Sequence, residues 1–527
     1  MLLPALFSAL LPLAHAAEPA AECSAPAAQA AYAAGFAAQR ERRSDDALTA
    51  WKACIAAEPG CVPCQWEKGW THWAREEWDD VIATWEKVTE IAPDHPDAAS
   101  WLQTARKRKE TWANAPKTVP IGTTVTESGV TLTLTARFQA FRGKPENPRD
   151  VFDTAVNSPK SVRFTRDGTK AYVNSLEGYG TVVYDARKLA KIKEIKHVFG
   201  AAEKALFTAP AAPFDYTWTH LPSGGDPNVF SGKPVESALS HDDRWLWIPY
   251  YRRDFDTNGT SPSAVAIVDT KTDTIVRVLP TGPIPKYVAV SPDSRRVAIT
   301  HWGDNTVMMV DTSSGDPAKF TILPALMVVE SRLPVTGLGK VDRDDECGYC
   351  LRGTVFTPDG NTLLVARMGG GGIAGFDVAT GAYLGTVEGM RPTPRHLVIP
   401  PAGRHLYLSS NSSGYVSRID VATLVAALRA AAGKVVALTG WEEVEVGPGA
   451  RTIEITKDGR WVFAAVNTSA ELVVVDTTRM TVAARIRVDP YSVGLDIAPD
   501  GSRVWTTSQG RTGHGGNSVC VYDVVLP

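Results

Sequence analysis

Hydrophobic and polar positions divide this chain into two regimes. Between residues 27 and 112 apolar side chains recur at helical spacing, and the pattern itself repeats every 34 residues. Tyr32 and Gly35 return as Trp66 and Gly69, Ala47 and Trp51 as Val81 and Trp85, and Ala57 and Pro59 as Ile91 and Pro93. Each unit predicts two amphipathic helices, the second ended by proline, and one more helix is predicted at Asp97–Lys109. Later in the chain the period becomes two. Short apolar runs end in Asp seven times: VVYD (Asp185), AIVD (Asp269), MMVD (Asp311), AGFD (Asp377), SRID (Asp420), VVVD (Asp476) and CVYD (Asp523). Upstream of each lies a tight turn between two alternating runs: TRDG, SHDD, SPDS, TPDG, PPAG, TKDG and APDG. Four short strands per unit, at a minimal spacing of 42 or 43 residues, predict one propeller blade per repeat. Only four residues follow Asp523, so the last blade lacks an outer strand. The alternating segment Gly129–Phe141, GVTLTLTARFQAF, is expected to supply it and remove an exposed edge.

Two resemblances follow from these repeats. The 34-residue helix-turn-helix unit resembles the tetratricopeptide (TPR) family, over two repeats and a third helix. Such units stack rather than fold alone, which implies a protein-contact surface. Segments such as VAVSPDSRRVAITHWGDNTVMMVDTSSG resemble the YVTN-type seven-bladed propeller repeat family, from residue 150 to the C-terminus. That family is similar in fold to bacterial lactonases and to quinoprotein amine dehydrogenase subunits, and fold alone does not choose among these chemistries. The expected fold class is mainly β with a small all-α module. A signal peptide at 1–16, TPR-like helices at 27–112, a linker at 113–128 and a seven-bladed β-propeller at 129–527 are expected.

Composition narrows the class. At 527 residues the chain exceeds one ordinary single-core domain. A net charge of −3 speaks against a strongly basic nucleic-acid-binding protein, and no apolar run after residue 16 approaches a membrane span. Leu2–Leu13 is almost wholly apolar and Ala14-His15-Ala16 offers small residues for cleavage, so export to the periplasm or beyond is expected. Export permits disulfides. Seven cysteines leave at least one thiol without a partner in the chain. Cys347 is expected to pair with Cys350, and Cys54 with Cys61 or Cys64; a zinc site built from the CxxC pairs is the other reading. Gln65 and Leu351, not His, follow the two CxxC pairs, against c-type haem attachment. Cys520, in a third strand, reads as a core thiol. Asp254, Asp256 and Asn258 alternate like the first half of a calcium loop. Pro262 and Val265 stand at its ninth and twelfth positions, so a polar turn is the better reading and no metal is expected. The Gly-rich stretch Arg367–Phe376 leads into a strand rather than a helix, against a phosphate loop. No GxSxG motif occurs, and no cofactor is called for.

Rotational repetition singles out one set of positions. Seven residues before the tight-turn position stand Lys160, Lys286, Arg352, Arg395 and Arg451, with Val235 and Val493 in blades two and seven. His301 and Arg367 end second strands, and His396 follows Arg395. The large insertions, 200–235, 252–262, 324–350 and 509–517, fall in connections that share one mouth of the channel. Equivalent offsets bring these side chains together there, and cations so gathered suit a carboxylate or phosphate. The reading is an exported binding protein. Its mouth takes a small anionic ligand or a protein partner, and its TPR-like module or insertion loops touch another protein. The alternatives are a lactonase-like hydrolase and a quinoprotein-like oxidoreductase using the same mouth, although the sequence identifies no catalytic residues.

Overall fold

A computed structural model describes residues 23–40, 43–75, 77–113, 118–207, 213–214, 219, 221, 225–339, 341–401, 403–510 and 516–527. The expected signal segment lies outside them. The described residues form two compact units, one before and one after residue 117.

The first unit is five helices: α1 (Pro26–Arg40), α2 (Ser44–Ala57), α3 (Val62–Ala74), α4 (Trp78–Ile91) and α5 (Ala98–Ala113). The repeated Gly–Trp pair explains its packing. A Cβ on Gly35 would lie 2.7 Å from the Trp51 ring, and one on Gly69 would collide with the Trp85 indole. Both tryptophans are fully buried, so each glycine lets the next helix in the chain lay a large ring against its backbone.

The second unit is a seven-bladed β-propeller. Seven sheets, antiparallel apart from the added parallel strands Asp150–Phe152 and Val435–Ala437, begin at inner strands Pro159–Phe164, Ala238–Ser240, Pro285–Val290, Leu351–Phe356, Pro394–Val398, Ala450–Ile455 and Ser492–Ile497. The seventh sheet contains Val130–Gln139, antiparallel to the final strand Ser518–Val525, with Thr131 opposite Val525 and Gln139 opposite Ser518. The two ends of the propeller are thereby joined by a ladder. Arg137 on the early strand fixes that joint from within the protein. Its guanidinium pairs with Asp489 at 2.8 Å and Asp150 at 3.1 Å, all three buried. Asp489 also accepts hydrogen bonds from Val119 N and Ser518 Oγ.

The recurrent aspartates are turn acceptors. Asp185, Asp269, Asp311, Asp377 and Asp476 each take a backbone N–H two or three residues on, closing the turn from third to fourth strand. Asp420 does the same for Thr423 N, but there it caps a sixth helix, α6 (Val421–Ala431), set into blade five before the outer strand Glu442–Glu445.

These bonds make the fold acid-sensitive. Hydrogen bonds from Thr357, Thr380 and Ser502 hold Asp359, Asp377 and Asp500 below the ordinary carboxyl value, and Thr423 N holds Asp420 at about 2. Unfolded aspartates titrate near 3.9. The stabilisation is therefore complete above about pH 4 and is lost as pH falls through the lower folded values. Thermal unfolding followed by circular dichroism should show the midpoint falling between about pH 4 and pH 2. Asp420→Asn keeps the cap and removes the charge, and should flatten that slope by one proton's share.

Candidate functional site: a buried cation ring on the propeller axis

Each inner strand opens with an irregularity. In blade one Pro159 faces Ser175 and Ser161 faces Asn174, which leaves Lys160 as the extra residue. In blade three Pro285 faces His301 and Tyr287 faces Thr300, leaving Lys286; in blade five the same shift leaves Arg395. Blades four and six shift across Arg352 and Arg451, and blade seven across Val493. A bulge bends the strand and re-aims the side chain of its extra residue. One bulge per blade at one height thus turns these side chains toward one another.

Blade two supplies a member that counting back from the tight turn misses. Pro234 faces Tyr250, Val235 N donates to Pro249 O, and Ala238 faces Trp247, so the extra residue falls between Pro234 and Ala238. Its hairpin turn has four residues, as in blade one, so Val235 keeps the position equivalent to Lys160, and the charge comes from Glu236 beside it. Glu236 lies 3.6 Å from the Lys160 ammonium and 3.5 Å from the Arg352 guanidinium.

The five cations act on one another. Burial drives Lys160 well below the ordinary lysine value, and Arg352, Arg451 and Arg395 drive it further against the pull of Glu236. Lys286 is lowered by burial and then by Arg352, Arg252, Lys160 and Arg395. Arg395 is lowered by burial, Arg352 and Arg451. Burial alone would raise the Glu236 carboxyl, yet Lys160 and Arg352 hold it below its usual range. The carboxylate partners are few. Among the described residues the Lys160 ammonium makes no hydrogen bond. Arg395 meets the Met368 thioether at 3.2 Å and, among the described residues, no carboxylate within ion-pair distance. Lys286 is paired with Asp344 at 3.3 Å and lies 4.0 Å over the Tyr251 ring. Asp344 comes from the 324–350 insertion and also accepts from Tyr251 and Arg252.

A second layer lies three residues further along the inner strands. Arg163 stands 3.3 Å from Glu454 and 3.5 Å from Asp496. Burial pushes Glu454 up to about 7, with Asp496 adding to the effect and Arg163 opposing it. His396 does not present its imidazole as a ring member. It accepts from or donates to Tyr287 Oη at 2.7 Å and faces Ile453 N, and burial lowers it to about 3, so it is neutral. His301, opposite Pro285, is bonded to Thr306 Oγ1 and Gly282 N and packed edge-on against Phe214 of the 200–235 insertion. Arg367 is engaged by Glu330 at 2.7 Å and lies 4.0 Å over the Tyr349 ring, anchoring the 324–350 insertion.

The remaining sequence candidates are structural in their contacts. Asp256 spends its oxygens on Thr260 N and Ser261 N, while Asn258 O accepts from Arg343 N, so the Asp254–Asn258 stretch is a polar turn. Cys347 is bonded to Cys350, Cys54 to Cys64, and Cys23 to Cys61. Cys520 is a buried free thiol, pushed up to about 12 by burial and by Asp489.

Residues 255–485 match the family model described as "Lactonase, 7-bladed beta-propeller". No curated protein matches the chain. Among solved structures, the β-propeller domain of Myceliophteria thermophila Cps50 (Swd1) is 14% identical, covering 70% of this chain and 98% of that one at a TM-score of 0.48. Kuenenia stuttgartiensis hydrazine synthase is 12% identical, covering 73% of this chain and 99% of that one at a TM-score of 0.47.

Glu236→Gln should reveal how much the ring depends on its one carboxylate. The change leaves Lys160 and Arg352 buried without an opposing charge, which costs about 3 kcal/mol or more. Urea unfolding should show that loss, and millimolar oxalate should recover part of it. Unchanged stability would mean that the cations do not share one space.

Proposed function

We propose that this protein is an exported binding protein whose propeller axis holds an anionic ligand. The observation that supports the reading most directly is the charge count at the bulges: among the described residues five cations gather there, with Glu236 near Lys160 and Arg352 and Asp344 near Lys286. Like charges gathered in a low-dielectric space repel strongly unless an anion joins them. A small polycarboxylate or phosphorylated compound would accept hydrogen bonds from Lys160, Arg352, Arg395 and Arg451. Arg395, whose described partner is a thioether, gains most. The inner strands are rigid, so little ordering would be needed on binding. The repeats favour a YVTN-type propeller, and the helical unit with its recurrent Gly–Trp pairs favours a TPR-like module for protein contact. The apolar N-terminal segment and the disulfides favour export.

A second reading, lactonase-like hydrolysis, draws on the family-model match over residues 255–485 and on Glu454. A carboxyl at about 7 beside a cation layer is suited to general acid–base work on a bound ester. In that reading the ring would hold the ester's carboxylate or phosphate group, and Glu454 would exchange the proton.

Calorimetric titration with small carboxylates and phosphorylated compounds distinguishes the readings from an inert scaffold. Each lost charge-assisted hydrogen bond is worth roughly 1.5–3 kcal/mol, about 10- to 100-fold in affinity. The Lys160→Ala/Arg395→Ala double variant should therefore bind at least about 100-fold more weakly, and wild-type affinity should fall as salt rises. Equal binding by both proteins would exclude the anion site. Turnover of a lactone that disappears in Glu454→Gln, with binding retained, would favour the hydrolase.

A further inference from the structure

We propose that the sulfurs of Cys23, Cys54, Cys61 and Cys64 form a zinc site in the reduced chain, and that the two disulfides are its oxidised, metal-free state. The proposal is independent of the propeller ring, since all four residues belong to the helical unit.

The sulfurs converge on one point rather than meeting only in pairs. All four lie within 4.8 Å of one another, and all four residues are buried. Across the two bonded pairs, Cys23 Sγ is 3.8 Å from Cys64 Sγ and Cys61 Sγ is 3.3 Å from Cys64 Sγ. Zinc binds thiolate at about 2.3 Å in a tetrahedron, which places its sulfurs about 3.8 Å apart. Two structural disulfides need proximity only within each pair, whereas a four-sulfur cluster is the donor set of a closed structural zinc site.

The cluster is also held together without its disulfides. The Glu58 carboxylate accepts from Ser24 N at 3.0 Å, Ser24 Oγ at 2.9 Å and Ala25 N at 2.7 Å. That staple fixes the residue next to Cys23 against the α2–α3 turn. Gln29 Nε2 donates to Cys23 O at 2.6 Å. Cys61 caps α3 and Cys64 lies in its first turn, where the helix N-terminus favours thiolate over thiol. Reduction would therefore leave four thiols in place.

The chemistry balances with a named reductant. Two equivalents of a phosphine and two of water reduce the two disulfides to four thiols, and the phosphine is oxidised to two equivalents of phosphine oxide. Four thiols then release four protons as one Zn2+ binds.

The test uses the full-length protein reduced by a phosphine under argon, with Co2+ as the probe. Wild type should develop a thiolate-to-cobalt charge-transfer band saturating at one equivalent, lost again when Zn2+ is added. Native mass spectrometry should find one zinc gained and four protons lost. Cys347→Ser/Cys350→Ser should keep the full band, and Cys61→Ser/Cys64→Ser should lose it. A reduced wild type without the band, or a Cys61→Ser/Cys64→Ser variant that keeps it, overturns the proposal. Should that variant prove unfolded by circular dichroism, the wild-type mass decides: fewer than four protons displaced rejects a four-sulfur site.

Discussion

Five buried cations facing one another around a seven-fold axis set the terms for this propeller. Such a ring is costly because burial removes the water that would screen its members. The protein meets the cost in two visible ways. Glu236 is placed between Lys160 and Arg352, and the insertion residue Asp344 is brought down onto Lys286. Even so, Lys160 and Lys286 are driven well below the ordinary lysine value by burial and by the other cations. A structure that served only to be stable would gain by replacing these groups with apolar residues. Their retention at bulges, where strands re-aim side chains, fits a site that waits for an anion.

The rest of the β unit serves the rigidity that such a site demands. The ladder between Val130–Gln139 and Ser518–Val525 joins the ends of the propeller, with Arg137, Asp150 and Asp489 buried beside it. Turn aspartates hold the hairpins between the third and fourth strands. Displacing one blade by an ångström would change the distances between charges at the axis, so closure and site geometry are coupled.

Much of this was legible in the chain because rotational repetition writes itself into sequence. Seven Asp-terminated runs and seven tight turns gave the blade number, and a constant offset from the turn picked out Lys160, Lys286, Arg352, Arg395 and Arg451. The same counting returned Val235 in blade two and missed Glu236, which stands one residue beyond the counted position and shows itself only through its ion pairs with Lys160 and Arg352. A contact, not a spacing, was needed there. His301 and Arg367 share a strand position with axial residues in the count, yet Thr306 and Phe214 enclose the first and Glu330 takes the second. Neither α6 nor the reach of Asp344 has a periodic signal, since both arise in connections rather than in the repeat. Cys23 was invisible as a partner for Cys61 because 38 residues separate them and only helix packing brings them together.

The central claim is that the axial cations form one anion site, and proton linkage tests it most directly. In the free protein Lys160 and Lys286 are depressed, and a bound anion would raise them toward the ordinary value near 10.4. Binding should therefore take up protons between the depressed and the ordinary values, and affinity should fall as pH rises through that window. Calorimetric titration with oxalate, in buffers of different ionisation heat at one pH, reads the protons directly. Net uptake that shrinks in Lys160→Met is expected. Binding with no proton uptake and no dependence on pH would contradict it.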